Sequence, residues 1–424
     1  MRIAVLSLGS RGDVQPQAAL SVALAQRGHE VRLISHGEYA ELVAGRGVEY
    51  RALSGDIRAD FAGSEAGRRM ASSGRNPVQA IRAMVEMTRR QARDWGMQIR
   101  DLAQGVDLLI PEMTASYPGA TLAEGWGIPW VQVCLQPIWR TRAFPSPMAP
   151  PLPFRLPGAL NRLHHDMVTQ LMWQPFRALV NQSRREVADL GPWPLFGPFN
   201  RFRRERRPVL MAFSPHVVPP PADWDAGITV TGYWYLDRPA AWQPPPALDA
   251  FLKSGPKPVY VGFGSMGLED ADATIEAIRY AIRQCGCRAV VSAGWGGLGA
   301  AELPPEIFAT EAVPHDWLFP QMAAVIHHGG AGTTAAALRA GVPSVLVPFM
   351  VDQFFWARRL RERGVAPRGI PHNRLTGPAL ASALGRALTD QALRARAEDL
   401  GLLIRAEDGL ARAVERIEAV RADS

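Results

Sequence analysis

Residues 323–353 combine histidines, a glycine-rich turn and two threonines in an order that suits phosphate binding. The segment has the sequence AAVIHHGGAGTTAAALRAGVPSVLVPFMVDQ. Its first apolar run ends in His327-His328 and predicts a buried strand, and the small residues that follow lead into a helix expected to begin near Thr333. A helix N-terminus offers unpaired N–H groups and about half a positive charge, so it favours a diphosphate. His328 could donate one further hydrogen bond.

Asp352 and Gln353 follow the next apolar run, so they should lie at the same sheet edge as the glycine-rich turn. A carboxylate and an amide at that edge could bind sugar hydroxyls. A strand–helix turn with a threonine cap is the purely structural alternative. The GFGS segment at residues 262–265 could form a further phosphate-side turn, but it is equally compatible with an ordinary turn.

Asp13 is a candidate general base. It lies in a glycine-containing loop, GSRGDVQP, that follows the apolar run Ile3–Leu8. A positioned carboxylate can accept the proton of an alcohol as the new C–O bond forms. Asp13 could instead cap the helix that we expect to begin near Gln15 or Gln17. The two roles do not exclude one another.

Both halves of the chain alternate short β-rich apolar runs with helical segments. Ile3–Leu8, Gln17–Arg27 and Glu30–Ser35 show the alternation, which resumes at Pro258–Phe263. Such alternation predicts parallel sheets covered by helices on both faces. Because these sheets bind ligands at the carboxyl ends of their strands, two α/β halves imply a cleft between them.

A proline-rich stretch divides the halves, and proline favours extended linkers. We therefore predict an N-terminal acceptor-binding domain over residues 1–218, a Pro-rich linker over 219–257 and a C-terminal nucleotide-sugar-binding domain over 258–405. A C-terminal helix over 406–424 could return to the N-terminal domain.

Composition restricts the compartment and the partners. The chain has 424 residues, of which 47% are apolar and 21% charged, and this balance is typical of globular proteins. No apolar run approaches the roughly 18 residues of a membrane span, and the first run is too short for a signal peptide. Three cysteines are too few for a disulfide framework. We expect a cytoplasmic protein, and the sequence carries no signal for its oligomeric state.

The chain has a net charge of +7 and contains one dense basic run. Its members are Arg201, Arg203, Arg204, Arg206 and Arg207. A solvated helix face or loop explains the run most simply, and weak contact with an anionic membrane surface is the alternative. Because no nucleic-acid motif accompanies the run, we expect no DNA or RNA partner.

Four blocks of the sequence resemble the UDP-glycosyltransferase superfamily, whose enzymes are inverting. They are GSRGDVQP at 9–16, TRAFP at 141–145, VPHDWLFP at 313–320, and HHGGAGTT through VDQFFWA at 327–357. The pattern is most similar to the sterol 3-β-glucosyltransferases and to the antibiotic glycosyltransferases beside them. The resemblance implies an α/β protein of the GT-B fold, with two Rossmann-like domains facing across a cleft.

The resemblance also implies the site residues by position. The donor-binding candidates are Ser10, Arg11, Ser265, Val313, His315, His328, Gly330, Ala331, Gly332, Thr333, Asp352 and Gln353. Val313 and His315 would lie near the nucleotide, the glycine-rich turn would hold the diphosphate, and the Asp-Gln pair would hold the hexose. Asp13 would be the catalytic base, because this branch carries Asp where many relatives carry His. No metal and no cofactor is implied.

Two positions depart from the family pattern. Ala331 stands where sterol-type relatives often carry Ser, so one hydroxyl contact to phosphate would be missing. Val351 precedes Asp352 at a position where Gly is common, which would change how the sugar is bound.

The expected reaction is transfer of a hexose from a nucleotide-sugar donor, with UDP-glucose favoured, to a hydroxyl of a small apolar acceptor. Such an acceptor would be sterol-, polyketide- or phenol-like, because eight of the twelve tryptophans lie between Trp126 and Trp242 around a proline-rich loop. The acceptor-binding candidates are Trp139, Phe144, Met148 and Trp173. A dTDP-deoxysugar donor, a nucleotide-sugar epimerase and a non-catalytic ligand-binding relative are the alternatives.

Overall fold

The computed structural model describes residues 1–55, 94–264, 271–292, 304–311 and 313–422, and these form two compact units. The first unit comprises the described residues of Met1–Met148, Leu152–Leu236 and Asp408–Ser424. The second comprises those of Ala149–Pro151 and Asp237–Glu407.

The first unit contains two parallel sheets. A four-stranded sheet has the order β3-β2-β1-β4, and a three-stranded sheet has the order β5-β6-β7. The strands are β1 (Arg2–Leu6), β2 (Glu30–His36), β3 (Glu49–Leu53), β4 (Leu108–Pro111), β5 (Gln132–Cys134), β6 (Val209–Met211) and β7 (Ile228–Val230). Because β1 and β4 are parallel neighbours, the loops that follow them emerge at the same edge of the sheet.

Besides the helical residues 94–102, four α-helices of this unit are described before the second unit in the chain. They are α1 (Arg11–Gln26), α2 (Ser116–Trp126), α3 (Gly158–Ala188) and α4 (Phe199–Arg204). Aromatic side chains join α2, α3 and α4 in one core, in which Trp173 is fully buried. The centroid of the Trp173 ring lies 5.5 Å from the ring centroid of Tyr117 and 5.9 Å from that of Phe199.

The second unit is built on one five-stranded parallel sheet of order β10-β9-β8-β11-β12. Its strands are β8 (Val259–Gly262), β9 (Ala289–Ser292), β10 (Ile307–Thr310), β11 (Ala324–His327) and β12 (Ser344–Leu346). Its helices are α5 (Pro246–Lys253), α6 (Ala271–Cys285), α7 (His315–Leu318), α8 (Ala331–Ala340), α9 (Gln353–Glu362), α10 (Gly377–Thr389) and α11 (Gln391–Arg405). The predicted α/β class with parallel sheets is confirmed.

The last helix, α12 (Gly409–Ala422), packs against α1 in the first unit. Glu418 accepts hydrogen bonds from Arg27 Nη2 at 2.9 Å and pairs with His29 Nε2 at 3.1 Å. In the described part of the chain, no helix is long and apolar enough to cross a bilayer.

The structure corrects three local predictions. The 219–257 stretch is not simply an extended linker, because it contains strand β7 and helix α5, whose Leu248 is fully buried. Helix α1 begins at Arg11 rather than near Gln15 or Gln17, and α8 begins at Ala331 rather than near Thr333. In α1 the cap at its N-terminus offsets the low helical propensity of a glycine and a proline.

Candidate active site

Asp13 lies in the first turn of α1 and is bonded to the residue that caps the helix. Ser10 has extended backbone at the N-cap, and its N–H and Oγ donate to Asp13 Oδ2 at 2.9 and 3.0 Å. A Cβ on Gly9 would lie 2.3 Å from that same oxygen, so only glycine allows the carboxylate to sit there. Within the described residues, Asp13 Oδ1 has no hydrogen-bond partner, which leaves it able to accept a proton.

Glu112 was not predicted as a site residue. It lies at the sheet edge from which the loop that leads to Asp13 also emerges. It follows β4, and its N–H donates to Leu6 O at 2.8 Å. Its side chain is fully buried, and Oε2 accepts from Thr114 N at 2.9 Å and from Thr114 Oγ1 at 2.6 Å. Thr114 Oγ1 in turn accepts from Leu8 N at 3.0 Å, which ties Glu112 to the loop after β1. Its position directly after an apolar strand was the available sequence signal.

Burial shifts the pKa of both carboxyls upward. Burial and then the nearby Asp13 charge raise the pKa of Glu112 to about 8, and the hydrogen bonds from Thr114 only partly offset this. Burial also raises the pKa of Asp13 above its ordinary value, against the hydrogen bonds from Ser10. Two carboxyls that influence one another hold on to one proton between them. At neutral pH, Glu112 is therefore the protonated member and Asp13 the better placed base.

The buried carboxyl of Glu112 makes stability depend on pH. An unfolded chain releases this proton near pH 4.5, whereas the folded chain keeps it until about pH 8. The folded state therefore binds more protons in that window, and its stability falls as the pH rises through it. Glu112→Gln cannot ionise, so its stability relative to wild type should increase by about 1.4 kcal/mol per pH unit between about pH 5 and about pH 8, or about 4–5 kcal/mol over the whole window. Denaturant unfolding at several pH values measures the difference.

Glu124→Gln is the matched control for this experiment. Burial alone would raise the pKa of Glu124, but hydrogen bonds from Arg201 and Arg184 lower it to about 2. Glu124 is therefore ionised across the whole window in both states, and its variant should differ from wild type by a constant amount. A constant difference for Glu112→Gln as well would show that Glu112 ionises normally.

In the second unit, β11 ends at the buried His327, and the half-buried His328 follows it at the edge where α8 begins. His327 is fully buried, and its Nδ1 accepts from Gly329 N at 3.2 Å. Burial, followed by the neighbouring His328 and His315, holds the pKa of His327 well below its ordinary value. Burial lowers the pKa of His328 to about 4, so this ring is neutral at neutral pH. A neutral ring can still donate one N–H bond to an anion.

The ring of His328 fits against glycine backbone. A Cβ on Gly330 would lie 2.4 Å from His328 Nε2, and one on Gly264 would lie 3.1 Å from His328 Cε1. Gly330 is also the N-cap of α8, whose first residues Ala331 and Gly332 are accessible to solvent. The structure thus brings a neutral histidine and the N-terminus of α8 together, which is the chemistry that binds phosphate. Ser265, predicted beside Gly264, lies outside the described residues.

Asp352 and Gln353 lie at the start of α9, beside the same turn. The backbone oxygen of Gln353 is 3.2 Å from the position that a Cβ on Gly329 would take. Gln353 Oε1 accepts from Phe349 N at 2.8 Å and from Met350 N at 3.2 Å, so the amide shapes the loop after β12. Asp352 is the N-cap of α9, and its Oδ2 accepts from Trp356 Nε1 at 3.0 Å. Both side chains are therefore held in fixed orientations.

The backbone at Val351 shows why glycine would fit this position, where the family often has glycine. Val351 has a φ of 49°, in the left-handed region that disfavours β-branched residues. Glycine would adopt this conformation without strain, whereas valine occupies it at a cost of about 1–3 kcal/mol. The departure noted in the sequence therefore places backbone strain directly before Asp352.

Three further residues predicted to bind the donor, His315, Val313 and Arg11, differ in exposure and in contacts. His315 begins α7 and stacks on Phe319 at 4.2 Å between ring centroids, and Val313 precedes it, partly exposed. Arg11 is exposed, and its Nε donates to Gln15 Oε1 at 3.4 Å. The nucleotide and donor roles of these residues stay predictions.

Among the acceptor candidates, Trp173 is corrected by the structure. It is fully buried in the aromatic core, and its Nε1 donates to Leu195 O at 2.9 Å, so it supports the fold instead of facing a ligand. Phe144 is also buried and packs near His165. Trp139 and Met148 are partly exposed and remain candidates.

The fold is that of the GT-B glycosyltransferases. The crystal structures of the glycotransferase of kitacinnamycin and of CalG4, the calicheamicin glycosyltransferase, match with TM-scores of 0.68 and 0.65. Their identities are 22% and 20%, and each match covers 99% of this chain and 98% of the other.

Sequence comparison then gives the family. Residues 3–100 match the glycosyltransferase family 28 N-terminal domain, and residues 293–417 match the erythromycin biosynthesis protein CIII-like C-terminal domain. Sterol 3-beta-glucosyltransferase UGT80B1 of Arabidopsis thaliana is 35% identical over 98% of this chain and 67% of its own length. The sterol 3-beta-glucosyltransferase of Cryptococcus neoformans var. neoformans serotype D is 36% identical over 98% of this chain. The chain belongs to the sterol 3-β-glucosyltransferase family of the UDP-glycosyltransferase superfamily, and it spans 27% of the Cryptococcus relative's length.

Proposed function

We propose that the chain is an inverting glycosyltransferase that moves a hexose, with UDP-glucose as the favoured donor, onto a hydroxyl of a small apolar acceptor. The observation that carries this proposal is the meeting of neutral His328 with the N-terminus of α8, next to Asp352 and Gln353. The first two supply donors for a diphosphate, and the last two supply polar groups for a sugar.

The proposed reaction is a single displacement. The acceptor oxygen forms a bond to the anomeric carbon while the bond from that carbon to the diphosphate oxygen breaks, which inverts the configuration. Asp13 Oδ1 takes the hydroxyl proton and later releases it to solvent. Protonated Glu112 keeps a second negative charge away from Asp13. The α8 N–H groups and His328 stabilise the negative charge that develops on the leaving diphosphate.

The donor has two candidates. UDP-glucose follows from the sterol 3-β-glucosyltransferases, to which this chain is about 35% identical. A dTDP-sugar is the second candidate, because the related structures include VinC in complex with dTDP and SsfS6 complexed with thymidine diphosphate.

The test is an assay of the purified full chain with each donor in turn. Planar apolar alcohols, phenols and a sterol are offered beside free sugars and hydroxy-peptides, and products are identified by mass. We expect sugar transfer to members of the apolar set, with release of the nucleoside diphosphate. Transfer to the polar set alone would refute the apolar acceptor. Conversion of a nucleotide-sugar without any acceptor would identify an epimerase.

A further inference from the structure

Helix α3 buries one face and exposes a row of large apolar side chains on another. Its buried face includes Val168 and Trp173. The row consists of Leu160, Leu163, Met167 and Leu171, which are exposed to 46%, 58%, 55% and 58%. Their spacings of about three to four residues place them on one side of a helix. Single exposed leucines are ordinary, but a row of this kind marks an interaction surface.

Two residues outside α3 extend this row. Leu195 and Phe196 are exposed to 52% and 66%. Their carbonyl oxygens accept from α3: Gln174 Nε2 donates to Leu195 O at 2.8 Å, and Gln170 Nε2 donates to Phe196 O at 3.0 Å. The segment therefore lies along α3. We call these six residues, Leu160, Leu163, Met167, Leu171, Leu195 and Phe196, the apolar stripe.

A positively charged segment adjoins the apolar stripe. Helix α4 begins three residues after Phe196, and Arg203 Nη1 lies 4.0 Å from Asp166 Oδ1 on α3. Residues 199–207 carry five arginines and one acidic residue, Glu205. Arg204 and Arg206 are exposed to solvent.

Acidic residues offset only part of this charge. Asp166 is shared between Arg140 and Arg203, Glu205 pairs with Arg207 at 2.8 Å, and Glu124 pairs with Arg201 at 2.9 Å. The charges of Arg140 and Arg162 lower the pKa of Arg203, after the larger effect of burial, which shows that cations cluster here. The segment therefore has a net positive charge beside an exposed apolar row.

We propose that the apolar stripe and the exposed arginines Arg204 and Arg206 form a docking surface for an anionic lipid bilayer. Apolar side chains that enter the acyl boundary and arginines that meet anionic headgroups are the combination that binds membrane surfaces. Docking requires no helix that crosses the bilayer. If the acceptor is apolar, as the proposed function holds, it dissolves in the same bilayer, so docking would bring the chain to its substrate.

Vesicle binding tests the surface without any donor or acceptor. The full chain is sedimented with vesicles of phosphatidylcholine alone and of phosphatidylcholine mixed with phosphatidylglycerol, at low and at high salt. We expect binding to the anionic vesicles that weakens with salt. Equal binding to both vesicle types, or no binding to either, would overturn the proposal.

Three double variants separate the contributions. Leu163→Ser with Met167→Ser shortens the apolar stripe, and Arg204→Gln with Arg206→Asn removes two charges. Each should weaken binding to anionic vesicles about tenfold or more. Leu402→Ser with Leu403→Ser is the matched control, because these leucines are exposed to 57% and 48% on α11 of the other unit. Unchanged binding of the first two variants, or equal loss in the control, contradicts the proposal.

Light scattering and the transfer assay complete the test. A stripe that instead contacts a second copy of the chain would give a larger mass in solution, which Leu163→Ser with Met167→Ser would reduce; this outcome would refute the lipid partner.

Transfer to a water-soluble phenol should be unchanged in all three variants. Absence of transfer by the wild-type chain, together with vesicle binding, would count against the proposed function alone. Thermal unfolding checks that each variant is folded.

Discussion

Replacing Asp13 with Asn should lower kcat by about 10²–10⁴-fold while donor affinity changes little. The amide oxygen can still accept the hydrogen bonds from Ser10 N and Oγ that position the side chain. It cannot take a proton from the acceptor hydroxyl. Steady-state kinetics gives kcat, and a thermal shift with UDP gives donor affinity.

Ser10→Ala is the control for Asp13→Asn. It removes one hydrogen bond to Asp13 Oδ2 but leaves the backbone N–H bond and the carboxylate in place. We expect a loss of only a few-fold in kcat, because the base itself is intact. If Asp13→Asn retains near-normal turnover, Asp13 is only a helix cap or a donor contact.

Replacing Asp352 with Ala should raise KM for UDP-glucose about 10–100-fold and change the affinity for free UDP less than about threefold. The charge-assisted hydrogen bond that we propose between Asp352 and a sugar hydroxyl would be lost, while the groups proposed to bind the diphosphate would remain. Isothermal titration with UDP and steady-state kinetics with UDP-glucose make the comparison.

Gln353→Glu separates sugar binding from loop structure at the next position. The new carboxylate can still accept from Phe349 N and Met350 N, so the loop after β12 keeps its bonds. It loses the NH₂ donor, so KM for UDP-glucose should rise without a drop in the melting temperature. Equal loss of UDP and UDP-glucose binding in both variants would show that Asp352 and Gln353 only support the fold.

Strands such as β1, β2, β8 and β11 could be predicted because their apolar runs are short, buried and followed by turns. His327-His328 at the end of β11 shows this well: the same residues that end the apolar run begin the turn. Strand β7 could not be predicted, because it is only three residues long and lies in the proline-rich stretch that we expected to be a linker. Helix starts were less predictable. Gly12 and Pro16 suggested a loop, but the hydrogen bond from Ser10 N to Asp13 Oδ2 caps a helix that already begins at Arg11.

Contacts between residues that are distant in the sequence could not be predicted from their local pattern. Nothing in the composition around Glu112 shows that it will lie beside a loop about a hundred residues earlier, because that depends on β1 and β4 being neighbours. Trp173 shows the opposite error. A tryptophan in a segment rich in apolar residues can face a ligand or the core, and only packing decides between them.

The close approach of two functional side chains to glycine backbone has a consequence for how this family can diverge. Asp13 fills the space beside Gly9, and His328 fills the space beside Gly330. A side chain gained at either glycine must move its partner, because an added Cβ would lie 2.3 Å from Asp13 Oδ2 or 2.4 Å from His328 Nε2. Each glycine and its partner therefore act as one unit, and we expect a substitution at the glycine to displace the carboxylate or the imidazole from its present position.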